Sequence, residues 1–196
     1  MVADLDKIVT DIYTHGVSIT SDFIDQEIVK QLLCFFNEKR TELKQAGVGN
    51  RRTALKHAEI RNDRTVWVEE DDDESLRRYF FDPIHELILR LNRRCFLGLK
   101  DHEFHFALYE KGSFYKKHKD SFSNDDARKV SVVLYLNLNW KEGDGGELMI
   151  YTEEGIKVKP LAGTLVVFES HIEHEVLPSN TERISLTGWL KNKALL

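Results

Sequence analysis

Cysteine is scarce in this chain, and the scarcity excludes two common ways of stabilising a fold. Of the 196 residues only Cys34 and Cys95 are cysteines, and the pair does not have zinc-finger spacing. Both lie within apolar helical patterns, which predicts reduced, buried thiols in an intracellular protein. A disulfide framework and a cysteine-based zinc motif are therefore not expected.

Long apolar runs, low-complexity segments and internal repeats are also missing. No stretch approaches the length that spans a membrane, and residues 1–6 lack the basic and apolar regions of a signal peptide. We therefore expect a cytoplasmic protein without a membrane partner.

The chain has no excess of positive charge. Its formal net charge is −5, which argues against a nucleic-acid partner. One basic segment, residues 51–64, is predicted to be a solvated loop. With 41% hydrophobic and 31% charged residues, the composition suits one soluble globular domain over residues 1–196.

The first half, residues 1–98, is predicted to be mainly helical support. Apolar residues recur at helical spacing in 4–14 and in 24–43, and a residue within 20–22 is predicted to cap the second helix. The polar stretch 50–62 is predicted to be a mobile loop.

A third helix is predicted to begin at Asp82-Pro83, with Asp82 as its N-cap and Pro83 at its first position. It is expected to continue to Cys95 and to close at Gly98. The acidic run 69–74 before it is interpreted as a solvated connection, not as a cation site.

After Gly98 the hydrophobic period changes from near 3.6 to 2, which predicts a β-rich second half. The predicted strands are 103–109, 129–137, 147–152, 156–158, 164–168 and 183–190. Short strands separated by glycine turns favour a jelly-roll, or double-stranded β-helix, over residues 99–192. With helices packed outside one sheet, the predicted fold class is α+β.

The pattern His118-x-Asp120, followed far downstream by His174, predicts a metal centre. Strand side chains repeat every two residues, so His118 and Asp120 point to the same side of an extended segment. Two imidazoles and one carboxylate can hold iron(II) on one face and leave the opposite face open, as in non-haem iron oxygenases.

Arg183 lies nine residues beyond His174 and is the right group for the distal carboxylate of a 2-oxo acid. His171 competes as the third ligand. We prefer His174, because Glu175-Val176 resumes strand character directly after it. The expected function is an iron(II)- and 2-oxoglutarate-dependent oxygenase.

The remaining histidines have no partner pattern that predicts ligation: His15, His57, His85, His102 and His105. His85 lies in a predicted helix, where solvent exposure is expected. Val133, Leu148, Val167 and Leu186 are candidates for the cavity wall, and each is equally explained as ordinary core.

Two other functions fit the same ligand pattern. An oxygenase of this kind could act on a free amino acid or another small molecule. A non-enzymatic, cupin-like metal-binding module would need the ligands but not Arg183. Metal-dependent binding of 2-oxoglutarate separates these classes.

The chain resembles the HIF prolyl hydroxylase (PHD/EGLN) type of dioxygenase along nearly its whole length. The matching segments, in order, are HGVSITSDF, IRNDRTVWVEE, LYEKGSFYKKHKDSF, VVLYLNLNW, GGELMIY and HEVLPSNTERISLTGW. Glu110-Lys111 stands where the animal enzymes have Pro-Gly, which points to a bacterial relative. The resemblance implies a double-stranded β-helix fold.

The resemblance also implies roles for individual residues. His118, Asp120 and His174 match the iron ligands, and Arg183 matches the residue that binds the distal carboxylate of 2-oxoglutarate. The further matches to the cosubstrate pocket are Tyr135, Tyr109 and Thr187. Trp189 and Arg61 match residues on the substrate side.

The implied activity is hydroxylation of a prolyl residue in a protein, with Fe(II), 2-oxoglutarate and O2 as cofactor and cosubstrates. Succinate and CO2 would be the coproducts, and ascorbate would stimulate turnover. Bacterial relatives of this kind include one that hydroxylates a proline of elongation factor Tu.

Overall fold

The computed structural model describes residues 4–47, 59–121 and 127–193. The basic stretch 51–58, most of the predicted mobile loop, lies outside the described residues. The helices are α1 (Leu5–His15), α2 (Gln26–Lys39), α3 (Glu74–Leu76) and α4 (Asp82–Cys95). The strands are β1 (Val17–Thr20), β2 (Lys44–Gln45), β3 (Arg64–Val68), β4 (Asp101–Tyr109), β5 (Tyr115–His118), β6 (Arg128–Tyr135), β7 (Leu148–Ile150), β8 (Ile156–Val158), β9 (Leu165–Glu169), β10 (His174–Val176) and β11 (Arg183–Lys191).

The first two helices form where the apolar periodicity predicts them, but the cap of α2 was placed wrongly. Asp25, not a residue within 20–22, is the N-cap, and its side chain accepts a hydrogen bond from the Ile28 amide at 2.9 Å. The helix ends at Lys39 and continues only as a short 3-10 turn, Arg40–Glu42. Leu43, the apolar residue that follows this turn, is buried, but its backbone is no longer helical.

The third predicted helix begins earlier than Asp82. Asp73 caps α3, accepting from the Leu76 amide at 2.7 Å, and a π-helical turn, Arg77–Phe81, joins α3 to α4 without a break. Asp82 is therefore not an N-cap. A proline inside a helix lacks an amide donor and clashes with the carbonyl four residues earlier, and a wider turn directly before Pro83 accommodates both effects.

Two antiparallel sheets form the β-rich part. The larger has seven strands in the order β1-β9-β6-β11-β4-β3-β2, and the smaller has four in the order β5-β10-β7-β8. Strands that are neighbours in space are mostly distant in sequence, which is the arrangement of a double-stranded β-helix. The predicted α+β class and jelly-roll core are confirmed.

The large sheet buries both of its faces, and strand parity decides which residue enters which core. On β6, Val132 and Leu134 join the core beneath the helices, while Val133 and Tyr135 join the core between the sheets. Each residue along a strand points to the face opposite its neighbour's. The same alternation places Val167 in the helix-side core.

The face that a residue occupies decides between cavity wall and ordinary core for the four candidates, and it shows that the prediction of a buried Cys34 was wrong. Val167 and Leu186 pack under the helices and do not line a cavity between the sheets, where Val133 and Leu148 do lie. Cys34 is exposed, because it lies on α2 away from the stripe formed by Leu32 and Phe36. No helix among the described residues has the length and apolarity needed to cross a membrane.

Candidate metal centre

Strands β5 and β10 bring two histidines face to face. His118 ends β5 and His174 begins β10, and they are register partners in the antiparallel pair. Asp120 follows β5 and is anchored by its backbone amide, which donates to the Ser170 carbonyl at 3.0 Å. We call His118, Asp120 and His174 the inner cluster.

The ligand atoms of the inner cluster converge. Nε2 of His118 lies 3.5 Å from Asp120 Oδ1, and Nε2 of His174 lies 3.4 Å from Asp120 Oδ2. The three side chains are between 7% and 15% exposed. A single metal ion could therefore contact all three donor groups.

Backbone carbonyls orient both imidazoles. Nδ1 of His118 lies 2.7 Å from the Lys116 carbonyl, and Nδ1 of His174 lies 3.0 Å from the Ile172 carbonyl. A carbonyl only accepts, so each Nδ1 carries a hydrogen, and in the neutral ring the lone pair is then on Nε2. This tautomer is the one that ligates a metal through Nε2.

Ser131 and the two histidines hold the carboxylate of Asp120 in its ionised form. Ser131 Oγ donates to Asp120 Oδ2 at 2.7 Å. Burial alone would raise the pKa of Asp120, but the adjacent His174 and His118 keep that pKa far below its ordinary value. Burial also lowers the pKa of His174 and thus favours its neutral form.

The inner cluster opens into a cavity between the two sheets. The described lining residues are Arg61, His105, Ala107, Tyr109, Tyr115, His118, Asp120, Val133, Leu148, Phe168, His174, Val176, Arg183, Thr187 and Trp189. Much of the wall is aliphatic or aromatic, and Arg183 supplies a cation at the same cavity as the metal ligands.

Two hydrogen bonds hold the guanidinium of Arg183. Its Nε donates to the Gly146 carbonyl at 3.2 Å, and its Nη1 donates to Ser185 Oγ at 3.0 Å. Ser185 Oγ in turn lies 3.0 Å from Thr187 Oγ1. Gly146 has φ +74°, and a Cβ there would come within 3.3 Å of the Arg183 side chain, so a larger residue would disturb this support.

Arg183 has no carboxylate partner among the described residues, although it is 2% exposed. Its guanidinium carbon lies 4.7 Å from the ring centre of Tyr109 and 4.9 Å from that of Tyr135. The Tyr135 hydroxyl is buried without a well-formed hydrogen bond. A buried cation beside an unsatisfied hydroxyl fits an incoming carboxylate.

The donor set therefore fits both groups of an iron(II) and 2-oxoglutarate site. Two neutral imidazoles and one ionised carboxylate suit iron(II), and Arg183 with Tyr135 suits the carboxylate at the far end of the 2-oxo acid.

The other predicted site residues occupy three different positions. Thr187 lines the cavity beside Ser185, and Tyr135 packs in the core between the sheets, next to the Arg183 guanidinium. Trp189 lies over the Arg128 guanidinium, with 3.4 Å between the guanidinium carbon and the ring centre. Arg61 is paired with Asp63 through two hydrogen bonds, of 2.8 and 2.6 Å, and so presents no free charge.

The structure also separates the two competing ligands. His171 lies 3.7 Å from Glu169 on the surface, with 68% of its side chain exposed, while His174 is in the inner cluster. Sequence reasoning missed Ser131 and Ser185, each a small polar residue at an inward-facing position of a strand. Strand parity was the signal that could have found them, because Ser131 lies on the same face of its strand as Tyr135, and Ser185 on the same face as Arg183.

Comparisons with known proteins agree with this geometry. The profile of the 2OG-Fe(II) oxygenase superfamily matches residues 104–191. A Pseudomonas putida prolyl-4-hydroxylase is similar in structure, with 39% sequence identity and a TM-score of 0.87 over 97% of this chain and all of that chain.

Two animal proteins are also similar. A Trichoplax adhaerens prolyl hydroxylase, solved with a peptide fragment of the hypoxia inducible factor oxygen degradation domain, has 26% identity and a TM-score of 0.83, covering 96% of this chain and 89% of that one. Prolyl hydroxylase EGLN3 of Mus musculus is 36% identical over 84 residues, which are 40% of this chain and 35% of the mouse protein. The match thus spans about a third of the mouse enzyme.

Proposed function

Because the chain belongs to the 2OG-Fe(II) oxygenases, and within them to the prolyl hydroxylases, we propose that it hydroxylates a prolyl residue of a protein substrate. In the same turnover 2-oxoglutarate and O2 are consumed, and succinate and CO2 are released. The observation that carries the proposal is the inner cluster opening into one cavity with Arg183.

We assign the metal ligands to His118, Asp120 and His174. Iron(II) bound there, with 2-oxoglutarate and O2, supplies the oxidising power that hydroxylates an unactivated carbon. The chain holds the ion through neutral Nε2 atoms and an ionised carboxylate. Ser131 fixes the carboxylate, and the backbone carbonyls fix the rings, so the three donor groups would be in place at the cavity when an iron ion binds.

Arg183 binds the distal carboxylate of 2-oxoglutarate, and the Tyr135 hydroxyl completes the contact. The supports from Gly146 and Ser185 fix the guanidinium before the cosubstrate arrives, and a fixed cation loses little entropy on binding. Thr187 and Tyr109 border the cosubstrate on the cavity side.

The walls of the cavity keep water away from the reacting groups. Val133, Leu148, Phe168 and Val176 supply apolar surface around the inner cluster. A dry wall strengthens the electrostatic contacts to the cosubstrate and limits side reactions of the metal centre.

The substrate proline approaches from the side of Trp189 and Arg61. Trp189 borders the cavity, and Arg61, neutralised by Asp63, packs over the Tyr115 ring with 4.2 Å between the guanidinium carbon and the ring centre. Arg61 therefore positions the Tyr115 wall and does not attract an acidic substrate. Elongation factor Tu is our candidate substrate, and the cytoplasm is the compartment in which the two would meet.

Mass spectrometry tests this proposal. The iron-loaded protein, 2-oxoglutarate, ascorbate and air are added to a bacterial protein extract and, separately, to purified elongation factor Tu. We expect one added oxygen on a specific proline, absent when the His174→Ala protein is used.

The possible outcomes separate the competing functions. No modified proline, with normal iron-dependent 2-oxoglutarate binding, would keep the oxygenase and overturn the prolyl substrate. If the iron-loaded wild-type protein does not bind 2-oxoglutarate, the result would instead support a non-enzymatic metal-binding module. A modified proline in another protein would overturn elongation factor Tu alone.

A further inference from the structure

A second group of two histidines and one carboxylate lies on the helical side of the large sheet. Oε1 of Glu70 is 2.9 Å from His85 Nε2 and 3.0 Å from His102 Nε2. The three ligand atoms all lie within 4.8 Å of one another. We call Glu70, His85 and His102 the outer cluster.

His102 makes a contact that a hydrogen bond does not explain. Its Nε2 atom is buried and has no hydrogen bond of normal geometry among the described residues, although Glu70 Oε1 is 3.0 Å away. An unsatisfied buried nitrogen costs free energy. A cation between the two imidazoles and the carboxylate would satisfy all three groups together.

The surrounding packing fixes the His102 ring. Phe81 and Phe104 both pack against it nearly edge to face, with ring centres 5.3 and 5.6 Å away. The amide of His102 also donates to Asp101 Oδ1 at 2.8 Å. Its Nε2 is therefore aimed at the outer cluster before any ligand arrives.

Glu70 is also held in place by its own turn. It belongs to the 3-10 turn Glu70–Asp72, in which the Glu69 amide donates to Asp72 Oδ2 at 3.0 Å. Lys39 on α2 lies 3.9 Å from Asp72 Oδ1. These contacts anchor the turn against α2. The ligands of the outer cluster come from three separate elements, which are this turn, α4 and β4.

His85 lies in the first turn of α4, shortly after an irregular helical segment. The π-helical turn Arg77–Phe81 lies between Glu70 and His85, and such turns are rare and concentrate at functional sites. The His85 side chain is 44% exposed, which leaves room for water to complete the coordination of an ion.

We propose that the outer cluster is a second metal site, which binds a divalent transition metal such as Zn2+ and fastens the 3-10 turn and α4 to the start of β4. Two imidazoles and a carboxylate suit zinc, and water would supply the remaining position. The ion stabilises the folded chain, since the three ligands converge only when these elements are packed together.

Zinc counting tests the proposal in the full chain. Metal-free wild-type protein is equilibrated with Zn2+, passed through a desalting column, and measured by elemental analysis. We expect two zinc ions per chain in the wild type, one in a His118→Ala/His174→Ala protein, and none after His85→Ala is added to that protein. Zinc should raise the Tm of the protein lacking the inner cluster, and His85→Ala should abolish the rise.

A matched histidine change provides the control. His171→Ala removes another surface histidine that faces a glutamate, and it should leave the zinc count and the Tm shift unchanged. Should the protein without the inner cluster fail to fold, His85→Ala alone must lower the wild-type count from two to one.

Two results would overturn the proposal: one zinc ion in the wild type, or a count that His85→Ala does not change. Because zinc counting requires no turnover, failure of prolyl hydroxylation and failure of the second metal site are distinguishable.

Discussion

The inner and outer clusters offer the same donor atoms, two imidazole nitrogens and a carboxylate oxygen, from opposite sides of the large sheet. In the inner cluster both Nδ1 atoms donate to backbone carbonyls, and the carboxylate accepts from Ser131. In the outer cluster one oxygen, Glu70 Oε1, faces both rings, and His85 is 44% exposed.

The difference indicates that the surroundings of each cluster, and not its donor atoms, determine whether a bound metal would take part in a reaction or would stabilise the fold. The inner cluster shares an apolar-walled cavity with Arg183, so a cosubstrate and a metal can meet there. The outer cluster lies between a turn, a helix and a strand end, where a metal could hold three elements together. Changes in each cluster should therefore alter different properties.

Loss of the carboxylate in the inner cluster should have the largest effect. Asp120→Asn removes the charged ligand, and we expect prolyl hydroxylation to fall by more than the roughly 10- to 100-fold that changes around a ligand cause. Iron content after desalting should fall in parallel. Glu70→Gln, the matched change in the outer cluster, should leave the iron content intact. Equal iron loss in both proteins would remove the distinction between the clusters.

Arg183→Ala should have the next largest effect. It removes a guanidinium whose hydrogen bonds to a carboxylate are each worth about 1.5–3 kcal/mol, so the affinity for 2-oxoglutarate should fall on the order of 100-fold. Iron binding should be kept. Titration of the metal-loaded protein with 2-oxoglutarate in a calorimeter measures the affinity, and elemental analysis measures the bound iron. The control is Arg40→Ala, which changes a surface arginine paired with Glu182. Unchanged 2-oxoglutarate affinity would contradict the assignment of Arg183.

Two serines separate the metal half of the inner site from its cosubstrate half. Ser131→Ala frees the Asp120 carboxylate, and iron affinity should fall by about 10- to 100-fold. Ser185→Ala frees Arg183 instead and should raise the KM for 2-oxoglutarate without loss of iron. If the two variants behave alike, the cavity cannot be divided in this way.

The smallest expected effect concerns the wall beneath the inner cluster. His105 packs against the tilted rings of Trp67 and Trp189, and burial, aided by Arg61 and Arg128, lowers its pKa to about 3. Between that value and about 6.5 the unfolded chain binds the proton and the folded chain does not, so protonation favours unfolding.

This residue should therefore cost the fold about 1 kcal/mol of stability when the pH falls from about 7 to about 5.5. Urea unfolding at both pH values, with the wild type and the non-titrating His105→Phe protein, measures the difference. The variant should lose less stability than the wild type over this interval. An identical loss would show that His105 is protonated in the folded protein.

The sequence was most informative where backbone periodicity alone sets the geometry. The two-residue spacing of His118 and Asp120 placed both on one side of an extended segment, and the structure brings them together. The same period agrees with the family resemblance, which assigned Thr187 and Trp189 to the site, because it puts both on the face that Arg183 occupies. These inferences needed no knowledge of which strands are neighbours.

Sequence reasoning failed where packing chooses between equal alternatives. Val133 and Val167 are both apolar strand residues, and only the closure of the two sheets decided that one borders the cavity and the other the helices. Glu70 and His102 were missed as a pair because no period connects a turn to a strand across a π-helical turn and a helix.

The sequence by itself thus determined the type of most elements, which residues of one strand share a face, and the chemistry of the ligand pair around His118. Only the tertiary structure decided that β10 brings His174 opposite His118, and that α4 carries His85 to Glu70. The physical reason is that side-chain direction is set by local backbone geometry, whereas contacts between distant segments form only when the whole chain buries its apolar faces.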